Sequence, residues 1–514
     1  MHIHLHCLQF VVMVAALMTA ASCSDATEDA PAPQPDFVTL MDGPTLTAPA
    51  EGGDVMLRFS TNKDWSIVLP TTQEHFNGVL EQRAGQPGEV CVPFTALPNT
   101  KGKPRSTTLR ITAGRATSEV TVIQDNVEVD LPSEQEVRQF LIRLFNDTDG
   151  PNWRSKGKWG SDLPLNQWGP EVKYENGLLS LILSEHDLNG NIDLSGCKAL
   201  ISLRCSKNHI KRIDVSGCPL LTTLECVNSG LEDVDLTGCL SLNSLSLGYN
   251  SLSHLNLGWC RTITWIDVSN CRLTELDLSE CVSLKNLACH TNRLTHLDIP
   301  HRHNLIDCFC YENEIDRLDV SNSPQLQILN CGDNELTELK VTGSPRLDWI
   351  YCYSNRLTHL DISDQKDVLS HLYCFSNRLE QLDVSDYRDL TELHCSDNGM
   401  TSLNFTGCKR LQWLYCSHNM LESLDFSGLD IHVFSRLDCS YNRLRHADIA
   451  PLNYLMHLWC QGNRIGGEIP EHFDRLLDFE HDARYEYRPG TGTYTDRGYG
   501  WWYPGEPEKM EHSR

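Results

Sequence analysis

Apolar and polar residues follow a pattern that returns every 21 residues between Leu178 and about Pro470. The copy that opens at Leu200 reads LISLRCSKNHIKRIDVSGCPL, and its first, fourth and sixth residues are apolar. The step lengthens to 22 or 23 residues only in the copies that open at Leu178, Leu347 and Leu411. A fixed period of this kind predicts a solenoid, in which each copy forms one turn and stacks on the next.

Each turn is predicted to carry one short strand. The fourth and sixth residues would point inward, and the third, fifth and seventh outward. We call the surface made by these outward residues the sheet face, and we expect it to line the concave side of an arc about 65 Å long. The ninth residue is usually Asn, predicted to bond backbone groups of adjacent turns: Asn208, Asn250, Asn292, Asn313, Asn334, Asn355, Asn377, Asn398, Asn419, Asn442 and Asn463.

The repeated letters resemble the leucine-rich repeat pattern L-x-x-L-x-L-x-x-N-x-L over nearly 300 residues. The resemblance implies a mainly β fold, α/β at its caps, with a solenoid of about 14 repeats over residues 178–469. Residues 127–177 resemble the N-terminal cap of such proteins, because a capping box at Ser133 to Glu136 opens a helix and Gly-Pro-Asn-Trp follows it. We therefore predict that Trp153, Trp159 and Trp168 lie in the core.

Residues 470–514 are predicted to form the C-terminal cap. The apolar residues from Phe473 to Phe479 suggest a short helix, and a segment rich in Tyr, Trp and Gly follows it. The cap would cover the apolar edge of the last repeat. A tail folded back over the sheet face is the alternative.

Residues 37–126 show short alternating runs separated by turn residues, the pattern of a small antiparallel sandwich. Asn62 to Trp65, the run that begins at Arg105, and the closing run to Gln124 resemble BACON domains of Bacteroidota surface proteins. The resemblance implies an immunoglobulin-like β-sandwich and carbohydrate binding. A spacer that binds nothing is the alternative.

Residues 1–22 read as a signal peptide, with a short apolar run and small residues before Cys23. The segment resembles the lipobox of bacterial lipoproteins, which implies a lipid anchor at Cys23 on the outer membrane, facing outward. Residues 23–36 are acidic and proline-rich, as in a flexible linker. An ordinary signal peptide cleaved nearby remains the alternative.

The net charge of −26 argues against binding of nucleic acid through a basic surface. Many of the 22 cysteines occupy the sixth position, where Leu247 and Val268 replace them in other copies, so we expect small buried side chains. The spacing of the cysteines is not that of a metal site. An Asp recurs late in most repeats, and we expect it to bond local backbone N–H groups; a row of calcium ions is the alternative.

The sheet face changes character along the chain. Early copies carry small or polar residues there, whereas later copies carry large aromatics, which predict a binding surface. The predicted ligand-binding residues are Phe309, Tyr311, Trp349, Tyr351, Tyr353, Tyr373, Phe375, His394, Trp413, Tyr415 and Trp459. The alternative is that these rings only pack on each other.

No catalytic motif, cofactor loop or metal motif occurs in the sequence, so we expect no enzyme activity, cofactor or bound metal. Three functions remain open at this point. We expect the sheet face to bind a protein, because a shallow arc suits a large partner. The alternatives are a glycan, bound by the same face or by the BACON-like domain, and a structural adhesin of the cell surface.

Overall fold

The structure is a computed structural model that describes residues 35–69, 78–80, 82–299, 302–445, 452, 454–464 and 478–480. The predicted signal peptide, Cys23, nearly all of the linker and most of the C-terminal cap lie outside the described residues. Within these ranges, no helix combines the length and apolar character needed to cross a membrane.

The first domain is a β-sandwich, as predicted. One sheet has the strand order Val38–Leu40, Gly53–Thr61, Gly88–Ala96, Gly78–Leu80. The other has the order Thr45–Ala48, Ala116–Gln124, Arg105–Ala113, Trp65–Val68, Ala84–Gly85. Phe59, Phe94 and Ile111 are completely buried between them, because alternate residues of each strand face inward.

The predicted cap helix spans Glu134–Asp147. Ser133 and Glu136 form the capping box, in which each side chain accepts the other's backbone N–H. Short 3-10 turns follow at Gly150–Asn152 and Leu165–Gln167. Trp153 and Trp168 are buried, as predicted, and Trp159 packs beside them half-buried.

In the described part of the solenoid, one sheet of 16 strands runs through the repeats. Its first strand pairs antiparallel with the second, and all later neighbours are parallel. The strands in order are Val172–Glu175, Leu178–Ile182, Leu200–Arg204, Thr223–Glu225, Ser244–Ser246, Trp265–Asp267, Asn286–Ala288, Asp307–Phe309, Ile328–Asn330, Trp349–Tyr351, His371–Tyr373, Glu392–His394, Trp413–Tyr415, Arg436–Asp438, His457–Trp459 and Asp478–Glu480.

Among the residues that the structure describes, three small parallel sheets lie later in the repeats. They are Asn189–Asp193 with His209–Asp214 and Asp233–Asp235, then Arg317–Asp319 with Glu338–Lys340, and Gln381–Asp383 with Ser402–Asn404. Two further 3-10 turns span Arg302–Asn304 and Ser363–Gln365. The leucines of the first and fourth positions fill the space between the two sides of each turn, as Leu369 and Leu372 do.

The predicted asparagine ladder is present. The Nδ2 of Asn377 donates to the carbonyl oxygens of Cys374 in its own turn (3.2 Å) and Cys352 in the preceding one (2.9 Å). Its Oδ1 accepts the N–H of Leu357 in the preceding turn at 3.0 Å. The residue before it, Ser376, has a left-handed backbone with φ +53°, which turns the chain away from the sheet. Each asparagine therefore satisfies buried backbone groups of two turns at once.

The cysteines form two buried rows. Those at the sixth position lie beneath the sheet, and burial raises the pKa of Cys352 to about 12. In the second row, the thiols of Cys218 and Cys408 donate to carbonyl oxygens of the preceding turn, Leu194 and Val384, at 3.3 and 3.0 Å. Cys205, Cys352 and Cys408, for example, are free thiols. They act as small apolar side chains, as the exchange with Leu and Val predicted.

The recurrent aspartates bond locally, as predicted. Asp214 accepts the backbone N–H of Ser216 at 3.0 Å and its hydroxyl at 2.7 Å. The same pair of bonds recurs at Asp193, Asp319 and Asp361. These carboxylates therefore close the turn after the strand, which explains their row without a cation.

The prediction of a helix that includes Phe479 is wrong for residues 478–480, the part of this segment that the structure describes. Asp478–Glu480 form a strand that pairs in parallel with His457–Trp459. The last repeat leaves a sheet edge with unpaired N–H and C=O groups, and a further strand satisfies them where a helix would not.

The sandwich contacts the solenoid. The hydroxyls of Thr100 and Ser241 lie 2.9 Å apart. Arg261 forms an ion pair with Glu280 of the solenoid, and its guanidinium also lies 3.7 Å from Asp54 of the sandwich. The first domain therefore packs against the early repeats.

We predict that Asn377→Ala lowers the free energy of unfolding by about 2–4 kcal/mol, because it leaves buried backbone groups of two turns without partners. Urea unfolding followed by circular dichroism would measure this loss. Asn404→Ala is the matched control, since Asn404 is exposed and bonds the N–H of Thr406 (3.2 Å) and the carboxylate of Asp383 at the surface, and we expect a loss below about 1 kcal/mol. Equal losses in both variants would contradict the role of the ladder.

Candidate functional site

The sheet face forms as the strand pattern predicts. In the strand Trp349–Tyr351 the middle residue is buried and its two neighbours point outward. The next strand pairs in exact register, so that Trp349 lies beside His371 and Tyr351 beside Tyr373. Equivalent residues of successive repeats are therefore about 4.8 Å apart, close enough for aromatic rings to contact each other.

The fifth position carries the longest run of stacked rings. The rings of Tyr351 and Tyr373 have centroids 4.7 Å apart, and those of Tyr373 and His394 lie 4.0 Å apart and nearly parallel at 11°. His394 stacks in turn on Tyr415 at 4.2 Å. Trp459 lies 6.4 Å beyond Tyr415. Ring faces are covered by neighbouring rings along this row.

The third position carries a second row, which ends in a cation. Trp349 packs on His371 with centroids 4.5 Å apart and a tilt of 37°. The guanidinium of Arg436 lies 4.3 Å from the ring centre of Trp413, a cation–π contact. Glu392 occupies the position between His371 and Trp413.

The seventh position carries two separate pairs. Tyr353 and Phe375 stack at 4.9 Å with an angle of 4°, and His290 stacks on Tyr311 at 4.2 Å. Tyr353 lies over the preceding turn at Gly332, where an added Cβ would come within 2.4 Å of its ring. Glycine at that position makes room for the ring.

The rows explain how far each predicted residue is exposed. Trp349 is 37% exposed, whereas Tyr353 and Tyr373 are buried, at 8% and 6%. The prediction that these two rings are exposed is wrong, because the rings of Tyr351 and His394 cover Tyr373, whereas Tyr353 is packed against Phe375 and the turn at Gly332. The other eight are half-buried: Phe309, Tyr311, Tyr351, Phe375, His394, Trp413, Tyr415 and Trp459. Their role in binding a ligand stays a prediction.

Glu392 lies at the centre of the rows and was not among the predicted ligand-binding residues. It accepts a hydrogen bond from the hydroxyl of Tyr373, and its carboxylate lies 3.7 Å from His371 Nε2 and 4.0 Å from His394 Nε2. Burial alone would raise the pKa of Glu392, but its interactions with His371, Tyr373 and His394 outweigh this, and the pKa is lowered. Its side chain is 15% exposed. The sequence could have identified Glu392 as part of the site, because its repeat position places it between His371 and Trp413 in the third-position row.

His394 is held in its neutral form. Burial between two tyrosines lowers its pKa to about 4, although the charge of Glu392 acts in the opposite direction. Its Nε2 has no hydrogen-bond partner among the described residues, since the 4.0 Å separation from Glu392 is too long. A neutral imidazole stacks between Tyr373 and Tyr415 without the cost of a buried charge.

Two family profiles match the chain. The BACON family, described as "Putative binding domain, N-terminal", matches residues 60–125. The family described as "Leucine Rich Repeat" matches residues 454–476. The two matches support a leucine-rich repeat protein with an N-terminal BACON domain. A search of curated proteins finds no match to it.

Solved structures show the same solenoid fold. A leucine-rich repeat protein of Leptospira interrogans is 21% identical, with a TM-score of 0.50 over 58% of this chain and 83% of its own. The functional domain of InlJ from Listeria monocytogenes, which includes a cysteine ladder, is 24% identical, with a TM-score of 0.46 over 59% of this chain and 72% of its own. YopM of Yersinia pestis, a leucine-rich effector protein, is 23% identical, with a TM-score of 0.49 over 68% of this chain and 100% of its own.

We predict that His394 makes the leucine-rich repeat domain less stable as the pH falls from about 6.5 to about 4. The unfolded state takes up a proton on this histidine in that range and the folded state does not, so protonation favours unfolding by up to about 3 kcal/mol. His394→Phe keeps a ring in the stack and removes the proton site. The difference in unfolding free energy between the two proteins should therefore change by that amount between pH 7 and pH 4.

Urea unfolding at a series of pH values would measure this difference. Exposed His359 offers the matched control, because His359→Phe changes a histidine that lies in no ring stack of the sheet face. The prediction would be contradicted if the unfolding free energy of His394→Phe fell as steeply as that of the wild type when the pH is lowered from 7 to 4.

Proposed function

We propose that this protein is a non-catalytic binding protein, anchored at the cell surface, that recognises a protein partner through the aromatic half of the sheet face. We define the aromatic half as the outward residues of the repeats from Phe309 to Trp459. The leucine-rich repeat fold supports a binding role in general. The specific support comes from the way the rings are arranged.

The stacked rows favour a protein over a glycan. A sugar ring binds an aromatic side chain on its open face, but the faces of Tyr373, His394 and Tyr415 are covered by each other at 4.0 to 4.2 Å. The rows instead present ring edges and hydroxyl groups over several adjacent strands. A broad, rigid surface of this kind resembles the centre of a protein interface, where Tyr and Trp supply contact area with little loss of side-chain freedom.

Trp349 is the best single residue on which to test the surface. It is the most exposed of the eleven predicted residues, at 37%, and it packs on both His371 and Tyr351. Trp265 is its matched control, because it occupies the third position of an early repeat, is 43% exposed, and lies outside the aromatic half.

We predict that Trp349→Ala weakens binding to protein partners by at least tenfold and that Trp265→Ala changes it less than threefold, as expected for a central aromatic residue of an interface. The mature chain would be applied to an array of purified proteins and to a glycan array, and hits would be measured by surface plasmon resonance. Hits on glycans alone that depend on Trp349 would establish the glycan alternative. Equal effects of both substitutions on every hit would leave the rings with a structural or adhesive role.

The anchor is a separate part of the proposal, and it rests on the sequence before Cys23. We predict that the expressed protein incorporates radiolabelled palmitate and that Cys23→Ala abolishes the label. Globomycin, which inhibits the lipoprotein signal peptidase, should cause the unprocessed form to accumulate. Secretion of a processed but unlabelled wild-type protein would instead indicate an ordinary signal peptide.

A further inference from the structure

The charges of the aromatic half are almost all of one sign. We count the third, fifth and seventh positions and the second and eighth positions that flank them, from residue 305 to 464. Seven carboxylates occupy these positions: Asp307, Glu312, Asp333, Asp348, Glu392, Asp397 and Asp438. A single cation, Arg436, shares the surface with them.

Basic residues are not scarce in these repeats. The same stretch contains Arg317, Lys340, Arg346, Arg356, Lys366, Arg378, Arg388, Lys409, Arg410, Arg436, Arg443, Arg445 and Arg464. All but Arg436 fall on other positions, where several form ion pairs, such as Arg356 with Glu335 (2.8 Å) and Arg410 with Asp389 (2.7 Å). The sheet face and its flanks are therefore negatively charged. This excess of carboxylates is larger than an even distribution of the net charge of −26 over the protein surface would produce.

Among the described residues, no lysine or arginine forms an ion pair with these seven carboxylates. Glu392 contacts only a tyrosine and two histidines, and no described lysine or arginine forms an ion pair with it. Asp307 accepts a hydrogen bond from the amide of Asn286 at 2.6 Å, yet burial raises its pKa. Burial also raises the pKa of Asp333 and Asp397 at the flanking eighth position. A partner's cation would relieve this unfavourable burial of negative charge.

The position of Glu392 shows where such a cation would lie. Its carboxylate is held in place by the hydroxyl of Tyr373, and the rings of His371 and Trp413 stand on either side in the same row. Arg436 already shows that a guanidinium packs on Trp413 at this surface. A flat, weakly hydrated guanidinium combines a charge-assisted hydrogen bond with contact to ring edges, which suits this position better than a compact ammonium does.

We infer that the partner of the aromatic half is a basic protein segment, and that one of its arginines binds Glu392 between Trp349 and Trp413. This inference rests on the proposed function, because it names the chemistry of the partner for the same surface. Strands about 4.8 Å apart place the other carboxylates within about 20 Å of Glu392, so that further side chains of one segment can each lie within a Debye length, about 8 Å, of a carboxylate. They would therefore attract further basic residues on either side of that arginine.

The test uses a phage library of random 12-residue peptides, selected on the immobilised mature chain and depleted on its Trp349→Ala variant. We expect the selected peptides to be enriched in Arg, and to a lesser degree Lys, at least threefold over the unselected library. A selected peptide should bind Glu392→Gln about tenfold more weakly and should lose affinity between 50 and 300 mM NaCl. Replacement of its arginine by citrulline, which removes the charge, should cause a similar loss.

Glu225→Gln is the matched control. Glu225 is also a carboxylate of the sheet face, but it lies in an early repeat, accepts a hydrogen bond from Ser206 at 3.0 Å and is 3.8 Å from Arg204. Its substitution should change peptide affinity less than twofold. Circular dichroism would show that both variants remain folded.

Each outcome bears on one claim. Peptides that need Trp349 but carry no basic residues, or that bind Glu392→Gln as well as the wild type, would overturn the cationic partner while leaving the aromatic half as a binding surface. Failure to select any peptide that depends on Trp349, together with the absence of such hits on the protein array, would overturn the proposed function itself.

Discussion

The rest of the solenoid depends on the hydrogen bonds that the asparagine amide at the ninth position of the repeat makes with backbone groups of two adjacent turns. Strands of three residues, such as Glu392–His394, are too short to hold a sheet together by their ladder bonds alone. Asn398 bonds the carbonyl oxygens of Cys395 in its own turn and Cys374 in the preceding one, and accepts the N–H of Leu379. Each amide therefore fixes the rotation and spacing of two turns where their backbone leaves the sheet.

Fixed register has a direct effect on the opposite side of the strands. Because equivalent residues lie about 4.8 Å apart, aromatic side chains at the same position of adjacent repeats come into contact and stack. The stacks convert flexible side chains into a stiff surface, which presents ring edges, hydroxyls and carboxylates, among them that of Glu392. Under the proposed function, one face of these strands supplies stability and the other supplies recognition.

The sequence was sufficient to predict the solenoid, the asparagine ladder, the inward cysteines and the bonds of the recurrent aspartates, since each follows from a period and a local backbone rule. It did not predict that Tyr353 and Tyr373 are buried, because this depends on ring orientation and on the space above Gly332. The strand at Asp478–Glu480 was missed because an open sheet edge outweighed local helical pattern. The contact of Arg261 with Asp54 joins residues far apart in sequence, which no repeat pattern encodes.

The constant step of the repeat also determines how such a protein can change in evolution. Duplication or loss of one whole repeat joins equivalent positions, so each asparagine meets the same carbonyl oxygens as before and the chain still closes its turns. An insertion of one or two residues between the strand and the asparagine would shift the asparagine away from these carbonyl oxygens. The longer copies that open at Leu347 and Leu411 instead place their extra residues after the late aspartate, and the next strand still pairs in register. The aromatic half can therefore become longer or shorter by whole repeats while its surface chemistry is retained.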